Sequence, residues 1–182
     1  ITNKLQRYAR ETTSMPFLTK LMQDEQKVAS YSFIHSIATS LGMSVYEDVS
    51  LIAAKPHSEN VDKKVDMNGT ISKEQKSVIA SIVTELVNGT RKVNKDTETK
   101  EVLKASSRGG RPQEHGKIAD FFMKRDGKEY YIEIKTVKPN IDVFEESKTK
   151  LLEWIARKQR PIITMLAFPY NPYPPEPYNR FT

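Results

Sequence analysis

Asp120, Glu133 and Lys135 are the residues of this chain whose types and spacing could do chemistry. Asp126-Gly127 stands midway between the two acids among β-prone residues, and a two-residue turn with positive φ suits that pair. With those two residues as the turn, Arg125 faces Lys128, and the same register carries Asp120 to a position directly opposite Glu133. Their Cβ atoms would then lie about 4.5–5.5 Å apart. Two facing anions destabilise a hairpin unless a cation lies between them. Lys135 follows Glu133 by two residues and projects from the same face. Paired carboxylates with a lysine beside them suit metal-dependent cleavage of a phosphodiester.

An acid-x-Lys triplet alone means little, since seven of them start at Glu25, Asp62, Glu74, Glu98, Asp126, Glu133 and Glu146. Glu133-Ile134-Lys135 differs from the rest by its place in a strand-like apolar run, Tyr130 to Val137. Ile132 and Ile134 point to one face of that strand, Glu133 and Lys135 to the other. The plain alternative is a solvated edge hairpin in which Glu133 and Lys135 neutralise each other. Asp120 argues against it, because a solvated hairpin has no need of an acid across from Glu133.

On these residues the chain resembles the PD-(D/E)xK nuclease superfamily, with Ala119 where a proline is usual. The extension from Glu133 to Asn140, followed by Ser147 to Ala156, resembles type II restriction endonucleases, the TdeIII type in particular. That narrower likeness covers residues 118–168 and, less closely, 30–66. The resemblance implies an α/β restriction-endonuclease-like core, a central mixed β-sheet flanked by helices, with an N-terminal helical region. It implies Mg²⁺-dependent hydrolysis of double-stranded DNA at a specific short site by a homodimer, since cutting a duplex calls for two active sites.

Mg²⁺ prefers oxygen ligands and keeps several waters, so one or two carboxylates suffice to hold it. Asp120 and Glu133 supply them, and the resemblance adds the main-chain carbonyl of Ile134. Lys135 is placed to orient or deprotonate the attacking water. Members of the superfamily often add a helix carboxylate; Glu47 matches best here, and reads equally as a capping-box acid, with Glu25 and Glu85 as weaker candidates.

Composition bounds the rest. A length of 182 residues, 37% hydrophobic, suits one α/β domain. The expected organisation is a single nuclease domain over 1–182: a helical part at 1–70, the core at 71–168 and a Pro/Tyr-rich segment at 169–182. The ends, Ile1 and Arg180-Phe181-Thr182, read as those of a fragment. The net charge of +6 is compatible with a polyanionic partner. Its distribution is more telling, because eight basic residues between Arg91 and Lys117 face four acidic ones. Within that stretch Gly109 and Gly110 would let backbone approach phosphate, Arg108, Arg111 and Gln113 could reach bases, and Lys117 could track the phosphates. A solvated loop is the equal alternative.

With no cysteine, disulfides and thiolate metal sites are excluded. His35, His57 and His115 lack zinc-ligand spacing. Neither a bilayer-spanning run nor a signal peptide is visible, so a cytoplasmic protein away from membranes is expected.

The elements that must position these residues follow from periodicity and punctuation. A helical stripe from Pro16 runs, bent, to Leu41, and Gly42 stops it; His35 and Trp154 read as core residues. Ser44 and Glu47 form a capping box for a helix through Ala54. Residues 55–70 read as a polar connection with an Asn68-Gly69 turn. Ser72 opens a well-patterned helix that Asn88-Gly89 ends. The stretch 90–117 is polar, with a short strand at Glu101–Ala105. Hairpin strands near 118–124 and 129–137 precede a helix at 144–158, capped by Asp142, whose Leu151, Leu152 and Ile155 face the sheet. The apolar run 161–168 reads as a buried strand, and residues 169–178 as an extended loop. Two rivals stand beside the restriction reading: a repair or junction-resolving nuclease on the same core, and a non-catalytic DNA-binding module.

Overall fold

Asp126 and Gly127 take positive φ, 51° and 70°, and so close a two-residue hairpin. Arg125 pairs with Lys128 and Phe121 with Ile132 across it, the register expected from the turn. The computed structural model describes residues 16–135 and 140–169. In chain order these form α1 (Pro16–Met22), α2 (Glu25–Ser40), a π-helical turn (Leu41–Val45), α3 (Tyr46–Ala54), β1 (Asn60–Asp66) and β2 (Thr70–Ile71). After them come α4 (Lys73–Val87), α5 (Lys95–Lys104), β3 (Arg111–Pro112), β4 (Ile118–Arg125), β5 (Lys128–Ile134), α6 (Ile141–Lys158) and β6 (Ile163–Ala167). The chain divides into two compact units, Ile1–Tyr46 and Glu47–Thr182.

The first unit holds α1 and α2. Gln23 adopts φ 50°, which breaks the helical run, and Asp24 caps α2 by accepting the N–H groups of Gln26 and Lys27 at 3.1 Å each. Gly42 does not stop the helix, because the chain continues through the π-helical turn into α3. Ser44 therefore lies within helical backbone and caps nothing. His35 is exposed rather than buried, and α2 has no buried residue at all.

The second unit is a mixed four-stranded sheet in the order β1-β4-β5-β6, flanked by helices. β1, β4 and β5 run antiparallel, while β6 lies parallel to β5 after a crossover through α6. Helices α4 and α6 pack their apolar stripes into one core. Ile79, Ile82, Val83 and Leu86 of α4 meet Leu151, Leu152, Trp154 and Ile155 of α6 over Ala119 and Tyr131 of the sheet. Full burial of each such aliphatic side chain contributes about 1.5–3 kcal/mol. Ser72 and Gln75 make the reciprocal capping box of α4. Gly69 is required by a close approach, since a Cβ there would lie 2.3 Å from the Arg157 carbonyl oxygen.

Several elements differ from the sequence reading for identifiable reasons. Residues 60–66 form a strand of the central sheet, so the sheet begins ahead of residue 71. As an edge strand paired only with β4, β1 tolerates a polar composition. Glu101–Ala105 is not a strand; Asn94 caps α5 by accepting the Thr97 N–H, and Val102 is fully buried on that helix. Asn140, not Asp142, caps α6, which starts earlier than expected. The run 161–168 supplies β6, but as the opposite edge strand, with Met165 exposed. Most of the Pro/Tyr segment, residues 170–178, lies outside the described residues, as does the end of the second hairpin strand from 136.

Candidate active site

Ala119 and Phe121 of β4 are buried, and Asp120 between them is half-buried. Asp120 stands one step beyond the last ladder pair, Phe121–Ile132, and by that register faces Glu133. The ladder opens there because the carboxylate takes the place of a backbone acceptor: the Ile134 N–H donates to Asp120 Oδ2 at 2.8 Å. An extended residue projects its N–H and C=O to the same side, so the Ile134 carbonyl also faces the Asp120 side. The next N–H, that of Lys135, turns the other way and donates to Ala167 O at 2.9 Å.

Glu133 is only 3% exposed, which sets it apart from a solvated hairpin acid. Its Oε1 accepts from Lys135 Nζ at 2.8 Å and its Oε2 from Lys150 Nζ at 2.5 Å. Burial pushes the Asp120 carboxyl above the ordinary carboxylate range, and the Glu133 anion pushes it further. The Ile134 N–H and the ammonium groups of Lys150 and Lys135 pull the other way. Two acids and two lysines are thus packed at one end of the hairpin.

Glu47 of α3 is 5% exposed, and its Oε2 is buried without a hydrogen-bond partner. Lys64 Nζ lies 3.8 Å from that oxygen. Lys64 falls between the pairs Lys63–Phe121 and Val65–Ala119, so the register sets it across from Asp120. It makes no ladder pair and takes φ 56°, a left-handed conformation uncommon for lysine. Lys64 links Glu47 to the same row of the sheet as Asp120 and Glu133. Glu85 is engaged elsewhere, by Arg91 and Ser81, and Glu25 sits in the first turn of α2.

Lys64 and Lys150 escaped the sequence reading. Lys64 lay in a stretch that showed no strand pattern. Lys150 carried one usable signal, its position on the helix after the hairpin, a turn before Trp154. Its ammonium lies 5.4 Å from the Trp154 ring.

The four DNA-contact candidates separate. Arg108 and Arg111 are exposed and make no ion pair among the described residues. Gln113 is occupied, its Oε1 accepting from Lys76 Nζ at 2.7 Å. Lys117 pairs with Glu114 at 2.7 Å and Asp66 at 3.5 Å, and the Glu114 contact holds its ammonium above the usual lysine range. Arg157 anchors this loop to α6 by donating to the carbonyls of Gln113 and His115 at 2.8 Å each, while Trp154 Nε1 donates to that of Gly116.

A hard divalent cation fits the donor set. Asp120 and Glu133 are adjacent anions whose repulsion a cation relieves, and Glu47 offers a buried carboxylate oxygen without a hydrogen-bond partner among the described residues. Among the described residues no three His, Cys, Asp or Glu side chains are gathered closely enough to cage a metal, so the fit rests on the Asp120–Glu133 pair. No helix among them is long and apolar enough to cross a membrane.

A central mixed sheet flanked by helices, with this acid pair and lysine on its hairpin, defines an α/β protein consistent with a restriction-endonuclease-like core. The model of the HinfI family of type II restriction endonucleases matches residues 1–182, and the chain belongs to that family. It is 27% identical over 146 residues to the type II restriction enzyme MjaII of Methanocaldococcus jannaschii, covering 77% of this chain and 38% of that one. It is 29% identical over 146 residues to the type II restriction enzyme HgiCII of Herpetosiphon aurantiacus, covering 78% of this chain and 53% of that one. The matched stretch thus spans about half or less of the length of these relatives. No solved structure matches the chain at a significant level. The matching family model is that of HinfI, where the residues by themselves resembled the TdeIII type.

Proposed function

We propose that this chain carries the catalytic core of a type II restriction endonuclease of PD-(D/E)xK type, which cleaves double-stranded DNA at a specific short site with Mg²⁺ as its metal. The observation that carries the proposal is the burial of Glu133 beside Asp120, with Lys135 on one of its carboxylate oxygens. Asp120, Glu133 and the Ile134 carbonyl would hold the metal, and Glu47, paired with Lys64 on the same row of the sheet, would act from beside that set rather than within it. The metal would supply charge neutralisation at the phosphoryl oxygens and a more acidic water. Lys135, its ammonium held beside the Glu133 carboxylate, would orient the attacking water by donating a hydrogen bond to it. Arg108 and Arg111 are the best placed to contact DNA, being exposed on the loop that α6 fixes; Gln113 and Lys117 reach it only by giving up their present partners. Cutting both strands makes a homodimer the expected working form.

Incubating the protein with Mg²⁺ and a plasmid, and sequencing the fragment ends, tests this reading. Discrete fragments sharing one end sequence are expected. Cleavage confined to branched duplexes would point to a junction-resolving enzyme, and salt-sensitive binding without cleavage to a DNA-binding module.

A further inference from the structure

Lys150 has no part in the chemistry above, yet it holds the second oxygen of Glu133. It reaches the site from α6, while Lys135 reaches it from the end of β5. The Lys150 ammonium also lies 5.4 Å from the ring of Trp154, which is fully buried and tied to Gly116 O at 2.8 Å. The lysine side chain, 19% exposed, also lines a cleft of about 370 Å³ with His115 and four acids, Asp142, Glu145, Glu146 and Glu153. The ammonium therefore stands between a buried carboxylate and open solvent.

Charge counting gives this position a meaning. With all four groups ionised, Asp120, Glu133, Lys135 and Lys150 sum to zero. A divalent cation joining the two carboxylates raises the cluster to +2, inside a partly buried site where such an excess is costly. Each oxygen of Glu133 already accepts from an ammonium, so a metal approaching either one meets a positive charge beside it. Lys135 lies two residues along the strand that bears Glu133, whereas Lys150 stands on a separate element at the cleft. Lys135 is the more exposed of the two, 30% against 19%, but the strand keeps it beside Glu133; Lys150 can turn to another anion, and a DNA phosphate would supply negative charge.

We propose that Lys150 is an exchangeable counter-ion, holding Glu133 until a divalent cation takes that carboxylate and then pairing with a DNA phosphate oxygen. The inference rests on the reading of Glu133 as a metal ligand and assigns a positioning residue to the same site. Its consequence is linkage: metal and DNA each bind more tightly in the presence of the other, by the same factor.

The experiment measures Ca²⁺ affinity calorimetrically with and without a cognate duplex, in the parent protein, Lys150→Met, Lys150→Gln and Glu133→Gln. Removing the competing ammonium should tighten DNA-free Ca²⁺ binding by about tenfold. It should also shrink the linkage with duplex and lower the salt slope of duplex binding by about one unit. A merely structural lysine would not improve metal binding when lost. DNA-free Ca²⁺ affinity that is unchanged or weaker in both Lys150 variants, while Glu133→Gln abolishes it, overturns the exchange and leaves the metal reading intact. Ca²⁺ binding that survives Glu133→Gln sinks the metal reading itself, and the exchange with it. A tenfold gain with an unchanged salt slope overturns the phosphate step.

Discussion

Two lysines of α6, two residues apart, each hold a buried glutamate, and the pairs have different fates. Lys148 meets Glu98 at 2.6 Å with side chains 7% and 1% exposed. The other Glu98 oxygen accepts the Asn94 N–H at 3.0 Å, so each oxygen of that carboxylate has one partner. Lys150 meets Glu133 at a similar distance, but that carboxylate is shared with Lys135 and crowded by Asp120. The first pair is complete, ties α5 to α6 and has nothing left to do. The second is frustrated by a neighbouring anion. Residue types are the same in both and each pair borders a cleft; what separates the structural ion pair from the candidate site is a second carboxylate, Asp120, crowding the glutamate.

The largest effects should fall on the frustrated pair's chemistry. Asp120→Asn or Glu133→Gln should lower cleavage by about a thousandfold or more, about 4 kcal/mol of activation free energy, with the fold retained. Undiminished cleavage by both variants would remove the site. The complete pair should behave in the opposite sense. Lys148→Met leaves Glu98 buried without its cation and should cost about 3–5 kcal/mol of stability by denaturant titration, with cleavage per folded molecule unchanged. Converting Glu98 to Met in the same protein should restore most of that loss; if it does not, the pair does more than tie two helices.

Lys135→Ala should reduce turnover by about a hundredfold without weakening Ca²⁺ binding, because the lysine acts on water and is not itself a metal ligand. Equal loss of metal binding would make it a structural partner of Glu133 instead. A smaller effect distinguishes the crowding of Asp120. Its carboxyl is raised by burial and by Glu133, so its protonated form favours the fold; that contribution is complete below the unfolded value near 3.8 and is lost as pH rises through the raised value. Asp120→Asn should therefore melt higher than the parent near neutral pH in a chelator, and the gain should vanish below about pH 3.8. An equal gain at all pH values would show packing rather than charge. Smallest of all, Arg111→Ala should flatten the salt dependence of duplex binding by about one unit if Arg111 meets a phosphate, whereas at a base edge it should lose about 1–3 kcal/mol for one sequence only.

Much of the hairpin was legible because its determinants are local. Asp126-Gly127 dictates a turn, the turn dictates register, and the register sets Asp120 across from Glu133 whatever surrounds them. The Ser72 capping box and the stripe from Ile79 to Leu86 are local in the same way. The strand at 60–66 was not legible, since an edge strand with one partner needs no apolar alternation. The helix at 95–104 was hidden because its buried acid, Glu98, is affordable only through a lysine fifty residues away.

The amino-acid sequence by itself determined which acids face each other and which lysine follows them, because a two-residue turn leaves a strand pair no other register. Only the tertiary structure decided that Glu133 is buried, that Lys150 competes for it and that Glu47 stands near Lys64. Those facts depend on where a helix and an edge strand pack against the hairpin, and packing joins residues far apart in the chain that no local pattern relates.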